Sequence, residues 1–286
     1  MLGVESYKII IIITYFGKHP WYFAYFLHSC KFNSTIDFVI FLDCEYEYEV
    51  PANVKIILIS FEEVRILASK KLGFQVTIEF PYKLCDFKPA YGLIFEDFIG
   101  DYHFWGQSDI DIIYGDLRMF LTTELLASTD FVNVRHDYTT GCFTLCRNNN
   151  KMNVFFKRSK DYKKVFTKIE YFGFDELNFK HCELNEGKQL FEIETEIECF
   201  THIIKSAMQK NEINAHFDFI MIEGVPGKLK FNNGKLIYKN RFEVILYHLY
   251  WLKKIYTPEV ILTAVPNIYH ISPTRIYFTN DKFSTW

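Results

Sequence analysis

Lys8–Phe16, KIIIIITYF, is an unbroken β-branched run that stops at Gly17. Five isoleucines in a row leave no polar face, so the segment reads as a strand buried on both sides, as in a parallel sheet. Outward from it, His19–Phe32 (HPWYFAYFLHSCKF) sets Pro20 near a helix start and its apolar residues on a helical stripe. Ile36–Leu42 (IDFVIFL) reads as a second strand closed by Asp43, and Val54–Ser60 (VKIILIS) as a third. Phe61–Leu72 (FEEVRILASKKL) reads as a helix ending at Gly73. Strand, helix, strand, strand, helix in this order argues for an α/β sheet of the nucleotide-binding kind.

Further along, Pro89–Ile99 is expected to be helical and His103–Ser108 to be a short strand running into Asp109. Phe131–Arg135 and Cys142–Cys146 read as two short strands around a turn at Thr139-Thr140-Gly141. Met152–Phe166 and Glu196–Gln209 are expected as helices, and His216–Glu223 as a strand. Phe231–Tyr238 is expected as a hairpin arm around Asn232-Asn233-Gly234. With no internal repeat, low-complexity tract or linker, the expectation is one domain over 1–286, with a core over 8–147 and a C-terminal portion over 148–286.

Hydrophobic residues make up 49% of the chain and charged residues 23%, which supplies a buried core and argues against disorder. A net charge of −3, with no block of five or six basic residues, excludes general attraction to nucleic acid. Lys157-Arg158 and Lys163-Lys164 read as a solvated helix face, with contact to anionic lipid head groups as the alternative, and Glu192–Glu198 as a solvated acidic stretch. The seven cysteines include no Cys-x-x-Cys pair and no zinc-site spacing, so reduced thiols in a cytosolic protein are expected. Glu5 and the short apolar run at Ile9–Ile13 argue against a signal peptide, and no apolar stretch is long enough to span a membrane.

Phe104–Leu117, FWGQSDIDIIYGDL, carries the chemistry. Asp109 and Asp111 point the same way if this piece is extended, because side chains alternate along a strand. Two carboxylates at a strand end can share one hard cation, and such a cation can bridge a diphosphate. With 14 Asp in the chain, chance alone supplies ~0.7 Asp-x-Asp matches, so position matters more than presence. The motif follows an apolar strand, at the carboxyl end where open α/β sheets bind ligands. The alternative is a turn with two solvated acids.

GQSDIDIIYGDLRMFL resembles the acidic segment of GT-A-fold glycosyltransferases, particularly the glycogenin-like and bacterial lipopolysaccharide galactosyltransferase-like family. It is also similar to glycosyltransferase-like proteins of bacterial polysaccharide gene clusters. Tyr82–Ile99 (YKLCDFKPAYGLIFEDFI) resembles the segment those enzymes place before the motif, which implies donor-nucleotide contacts from Lys83, Asp86 and Lys88. Thr139–Leu145 (TTGCFTL) sits where the family has an Asn-Ser-Gly strand lining donor sugar and acceptor, here without the Asn. Phe174–Asn178 (FDELN) resembles the family's acceptor-side segment, with Glu176 in place of the usual Gln. Val244–Lys254 (VILYHLYWLKK) partly resembles its late His-Gly-Lys motif, lacking the Gly and the Pro-Trp.

The resemblance implies a GT-A-like fold: a central, mixed, mostly parallel sheet flanked by helices. It implies a metal site at Asp109, Asp111 and His248, for Mn²⁺ or Mg²⁺; an imidazole among the ligands favours Mn²⁺. Tyr15, Lys83, Asp86, Lys88, Ser108, Asp109, Gly141 and Lys254 would face the donor, a UDP-sugar by preference. Asp137, Thr140, Asp175 and Glu176 would face a glycan or lipid-linked acceptor, and Asp109, Asp111 and Asp175 would be catalytic, with the anomeric configuration retained. Acceptors of this kind usually sit on lipid carriers, so a cytoplasmic protein with loose contact at the inner membrane face is expected. Other readings stay open for single residues. His248 can be an ordinary helix histidine with snorkelling lysines, and Asp137 can serve a loop salt bridge or pair with His136. Trp21 and Tyr22 can line the base or staple the next helix.

Two rival functions remain at this point. A sugar nucleotidyltransferase should show a glycine-rich loop after the first strand, whereas Gly17-Lys18-His19-Pro20 has one glycine. A non-catalytic carbohydrate-binding or scaffold protein on the same fold would bind no nucleotide.

Overall fold

A computed structural model describes residues 6–278 of the chain, so the expected 1–286 span extends past the described residues at both ends. Its strands are β1 Ile9–Tyr15, β2 Asp37–Leu42, β3 Val54–Leu58, β4 Phe104–Ser108, β5 Ile112–Tyr114, β6 Phe131–Asn133, β7 Phe143–Arg147 and β8 Ala215–Phe217. They continue as β9 Met221–Glu223, β10 Leu229–Asn232, β11 Lys235–Tyr238, β12 Phe242–Val244, β13 Leu246–His248, β14 Ile268–Ile271 and β15 Ile276–Tyr277. The central sheet runs β3-β2-β1-β4-β7-β6-β8. β1 lies parallel to β2 and β4, β2 to β3, and β6 to β8, while β7 is antiparallel to both its neighbours. This is the mixed, mostly parallel α/β sheet expected from the sequence.

The isoleucine run shows why. Ile9, Ile11 and Ile13 enter one core with Phe23 and Phe26 of the helix Phe23–Lys31. Ile10 and Ile12 enter the other, with Val64, Ala68 and Leu72 of the helix Phe61–Leu72 and with Tyr91 and Phe95. Each buried isoleucine stabilises by roughly 1.5–3 kcal/mol, and with both faces covered there is no place for a polar residue. The helix Phe61–Leu72 is set by a capping box, in which Ser60 Oγ accepts from the Glu63 amide and Glu63 accepts from the Ser60 amide at 2.8 Å. Buried Asn33 ties the end of the helix Phe23–Lys31 to the chain after β5. Its Nδ2 donates to the Ser29 and Gly115 carbonyls, and its Oδ1 accepts from the Leu117 amide.

Several boundaries differ from expectation. Pro89–Ile99 is not one helix; a 3-10 run over Pro81–Ala90 contains Pro89, and short turns at Tyr91–Ile94 and Glu96–Ile99 follow. Pro89 has no amide to donate, which suits the tighter run better than an α-helix interior. Met152–Phe166 breaks after Arg158 and resumes at Tyr162, because Ser159 Oγ donates to the Glu198 carbonyl and Asp161 accepts from the Glu198 amide. The expected helix Glu196–Gln209 begins only at Phe200. His216–Glu223 is two strands rather than one. β8 closes the edge of the central sheet, and β9 crosses to a three-stranded sheet ordered β5-β13-β9.

A five-stranded antiparallel sheet, β12-β11-β10-β14-β15, covers the side of the core that holds Phe23 and Phe26, to which Leu229, Phe231, Leu236 and Tyr269 belong. Its β10–β11 hairpin turns at Asn233 and Gly234 with φ of 48° and 91°, the positive pair that the Asn-Gly sequence announces. All seven cysteines are free. Among the described residues no helix is long and apolar enough to cross a membrane.

Candidate functional site

β4 is buried along its whole length and delivers the chain to Asp109, after which Asp109–Asp111 turn into β5. β13 lies antiparallel to β5 with His248 opposite Ile112, and the Leu249 amide donates to the Asp111 carbonyl at 2.9 Å. This pairing brings together two segments far apart in sequence. Ligand atoms of Asp109, Asp111 and His248 all lie within 4.8 Å of one another, a span one divalent cation can bridge with small side-chain adjustments. Asp111 and His248 are buried, while the Asp109 side chain is 31% exposed, so the cluster opens to solvent on the Asp109 side.

The charges are strongly coupled. Asp111 Oδ2 lies 2.6 Å from Lys253 Nζ and 3.3 Å from His248 Nε2. Burial alone would raise the Asp111 carboxyl, but His248 and Lys253 outweigh it and hold it below the usual carboxylate range. Burial would likewise lower His248, yet Asp111 and Glu223 push it up to about 10. His248 Nδ1 meets Glu223 Oε1 at 3.0 Å, and Arg135 holds the other side of that carboxylate at 3.3 Å. Glu223 thus fixes the ring and turns Nε2 toward the acidic pair, as outer carboxylates do for metal-bound histidines.

On the other side, Lys88 Nζ donates to Asp109 Oδ1 at 2.5 Å and to the Gly141 carbonyl at 2.6 Å. Burial opposes its charge, but Asp109 and the neighbouring acids raise it well above the ordinary lysine range. Glu176 Oε1 accepts from the Gly141 amide at 3.0 Å, and Asp175 is buried with its Oδ1 unpartnered. Burial raises the Asp175 carboxyl; Lys88 opposes this, and the charges of Glu176, Asp86 and Asp109 add to it. Position 141 has no room for a side chain, because a Cβ there would lie 2.4 Å from Asp175 Oδ2. Acidic pair, histidine, lysines and Asp175–Glu176 therefore form one connected polar cluster at the carboxyl end of β4.

The family of unknown function DUF6625 matches residues 11–280. The chain belongs to that family. No curated protein matches it. Among solved structures it is similar to the galactosyltransferase LgtC in complex with donor and acceptor sugar analogues, at 12% identity over 58% of this chain and 70% of that one, with a TM-score of 0.34. An active-site mutant of LgtC has the same identity and coverage, with a TM-score of 0.35. The apo form of the glycosyltransferase GlyE from Streptococcus pneumoniae TIGR4 is 14% identical over 73% of this chain and 44% of that one, with a TM-score of 0.30.

Of the other expected site residues, Tyr15 stands at the end of β1, its hydroxyl donating to the Lys18 carbonyl at 2.8 Å. Ser108 is engaged within the core, accepting from the Tyr114 hydroxyl and donating to the Cys142 carbonyl. Thr140 is buried, its amide bound by Asn133 and its carbonyl accepting from Gln107. Asp137 pairs with Arg135 at 2.8 Å, the loop salt bridge, rather than with His136. Trp21 packs edge-on against Tyr22, Tyr25 and Tyr256. Tyr22 is buried, and burial first and then the Asp111 charge raise its phenol.

Two expectations are corrected. Lys83 and Asp86 are fully buried and paired at 2.8 Å. Lys83 also donates to the Val165 and Glu170 carbonyls, and Asp86 accepts from the Phe172 and Phe174 amides. Every polar atom of this pair is spent on positioning the loop before Asp175. Lys254 does not reach the cluster; its ammonium sits over the Tyr250 and Trp251 rings, and Lys253 takes the place beside Asp111. Lys253 was visible in sequence as the neighbour of the expected lysine. Glu223 carried no such signal, because its role depends on β9 lying beside β13 with Glu223 opposite His248.

Proposed function

We propose that this chain is a metal-dependent glycosyltransferase that moves a sugar from a nucleotide-sugar donor to a hydroxyl of a glycan or lipid-linked acceptor. One observation carries the reading: Asp109, Asp111 and His248 converge within 4.8 Å at the carboxyl end of a central strand in an α/β sheet. These three would hold the cation, with Mn²⁺ favoured over Mg²⁺ by the imidazole. When bound, the cation would supply positive charge against the diphosphate as the glycosidic bond breaks.

The chain's own residues supply the rest. Glu223 keeps His248 Nε2 aimed at the carboxylates. Lys253 and Lys88, already 2.6 Å and 2.5 Å from Asp111 and Asp109, are placed to transfer their hydrogen bonds to phosphate oxygens. Asp175, with its unpartnered buried oxygen, and Glu176 would orient sugar hydroxyls, and Gly141 leaves the space they need. Tyr22 and Tyr15 would line the donor side. By resemblance the donor is a UDP-sugar, a hexose is transferred with retention, and the product belongs to a bacterial surface polysaccharide.

The test is a thermal-shift panel of UDP, GDP, CMP and ADP, each with Mn²⁺, Mg²⁺ or chelator. A nucleotide at a hundred times its dissociation constant adds about 2.7 kcal/mol, which moves the midpoint by several degrees. The expected result is one nucleotide that stabilises only with metal, an effect lost in Asp109→Ala. If no nucleotide binds under any condition, the transferase reading fails and a scaffold on the same fold takes its place. Product anomers read by NMR from a productive donor would then decide retention.

A further inference from the structure

Beside Asp175 the surface carries an aromatic ladder that nothing in the metal and donor site uses. The Tyr82 and Tyr171 rings meet edge to face at 4.8 Å between centroids, and Tyr171 and Phe179 at 5.2 Å. Tyr82 is 60% exposed and Phe179 54% exposed. The chain ties the ladder to the acidic cluster: Tyr82 shares the Pro81–Ala90 run with Lys88, which donates to Asp109, and Tyr171 lies four residues before Asp175. The ladder ends in a cleft of about 800 Å³ bordered by Tyr171, Phe179, Lys168 and Glu194.

The exposure of Phe179 is built in. Asn178 and Phe179 hold consecutive positive φ values of 47° and 62°, a conformation costly for a bulky residue. Buried Asn178 locks that turn by donating to the Phe172 carbonyl and accepting from the Glu196 amide. Gly173 gives the ring its seat, since a Cβ there would lie 3.2 Å from it. The backbone strain therefore holds an aromatic face toward solvent at a fixed place. Among the described residues the Tyr82 and Tyr171 hydroxyls have no hydrogen-bond partner, and neither does buried Asp175 Oδ1.

Resting on the transferase reading, we propose that this ladder is the acceptor platform and that its occupant is a neutral oligosaccharide of at least two sugars. Aromatic faces take the C–H faces of sugar rings, while the Tyr82 and Tyr171 hydroxyls take sugar hydroxyls. The volume suits a ligand of that size. The cleft is not an anion site: Lys164, Lys168 and Lys180 are matched by Glu170, Glu194 and Glu196, and Lys164 is paired with Glu196 at 3.0 Å. A lipid diphosphate or a uronic acid would meet as much repulsion as attraction there.

The experiment is saturation-transfer NMR on the full chain with lactose, maltose, cellobiose and chitotriose, with glucose as the monosaccharide control and a glucuronic-acid disaccharide as the anionic control. At least one neutral oligosaccharide should bind more tightly than both controls. Phe179→Ala and Tyr82→Ala should each weaken it about five-fold, the equivalent of losing one aromatic contact, and Phe179→Trp should retain it. Nucleotide binding with Mn²⁺ should be unchanged in all three variants, which also shows that they fold. If nucleotide binds but no neutral oligosaccharide does, if the anionic control binds best, or if both alanine variants bind sugar as the native chain does, the platform proposal is overturned while the donor reading stands. Loss of nucleotide binding in the native chain would instead refute the donor reading.

Discussion

The coupling of His248 to two carboxylates makes metal binding depend on pH in a way that can be worked out beforehand. Without metal, Asp111 and Glu223 hold the imidazole proton and push its titration up to about 10. A cation takes the Nε2 lone pair, so the complex carries no proton on that nitrogen, and one proton must leave for each metal bound. Below about 10 the metal-free site is protonated nearly always, so affinity should climb close to tenfold per pH unit, worth about 1.4 kcal/mol each. Between about pH 6 and pH 8 the gain is about a hundredfold. An unperturbed histidine would give only a small part of that over the same range, because it is already mostly neutral at the upper end. The assay is Mn²⁺ titration by electron paramagnetic resonance at several pH values, paired with calorimetry in buffers of different ionisation enthalpy to count released protons. His248→Gln should bind more weakly and lose most of the slope. A flat affinity profile in the native chain, or an unchanged slope in His248→Gln, would refute the assignment of His248 as a ligand that must lose a proton to bind metal.

The same shift bears on stability without metal. Because the folded titration lies above the unfolded one, the His248 contribution is fully present below about pH 6.5 and is lost as pH rises toward about 10; urea melts of the metal-free chain should show that decline, and His248→Gln should flatten it. Glu223→Gln removes the carboxylate that orients the ring and should weaken Mn²⁺ binding by about 10–100-fold with little change in fold, measured by the same titration. Lys83→Met leaves the Asp86 carboxylate buried without its cation and should cost about 3–5 kcal/mol in urea denaturation. Metal binding by the folded fraction should stay unchanged, as a positioning role requires. Gly141→Ala forces a methyl against Asp175 Oδ2, should cost about 1–3 kcal/mol, and should impair donor turnover well beyond that loss; native-like turnover would show that Asp175 and Gly141 are not part of the site.

What the sequence determined by itself was the set of features that local chemistry forces. Five adjacent isoleucines can be accommodated only where both faces are covered, which made β1 and the parallel sheet around it legible. Gly73 and the Asn233-Gly234 pair announced a helix end and a hairpin turn by their backbone preferences. Asp109 and Asp111 were readable because an apolar strand ran straight into them. The tertiary structure decided everything that depends on which distant segments lie side by side. It placed His248 against Asp111 through the β5–β13 pairing, and it brought in Glu223 by carrying β9 out of the central sheet. It also buried Lys83 and Asp86 as a pair with each other and set Lys253 rather than Lys254 beside Asp111, since burial and the direction of a long side chain are set by neighbours rather than by spacing. The exposed Phe179 is of the same kind. A phenylalanine in sequence suggests core, and only the locked turn at Asn178 turns it outward.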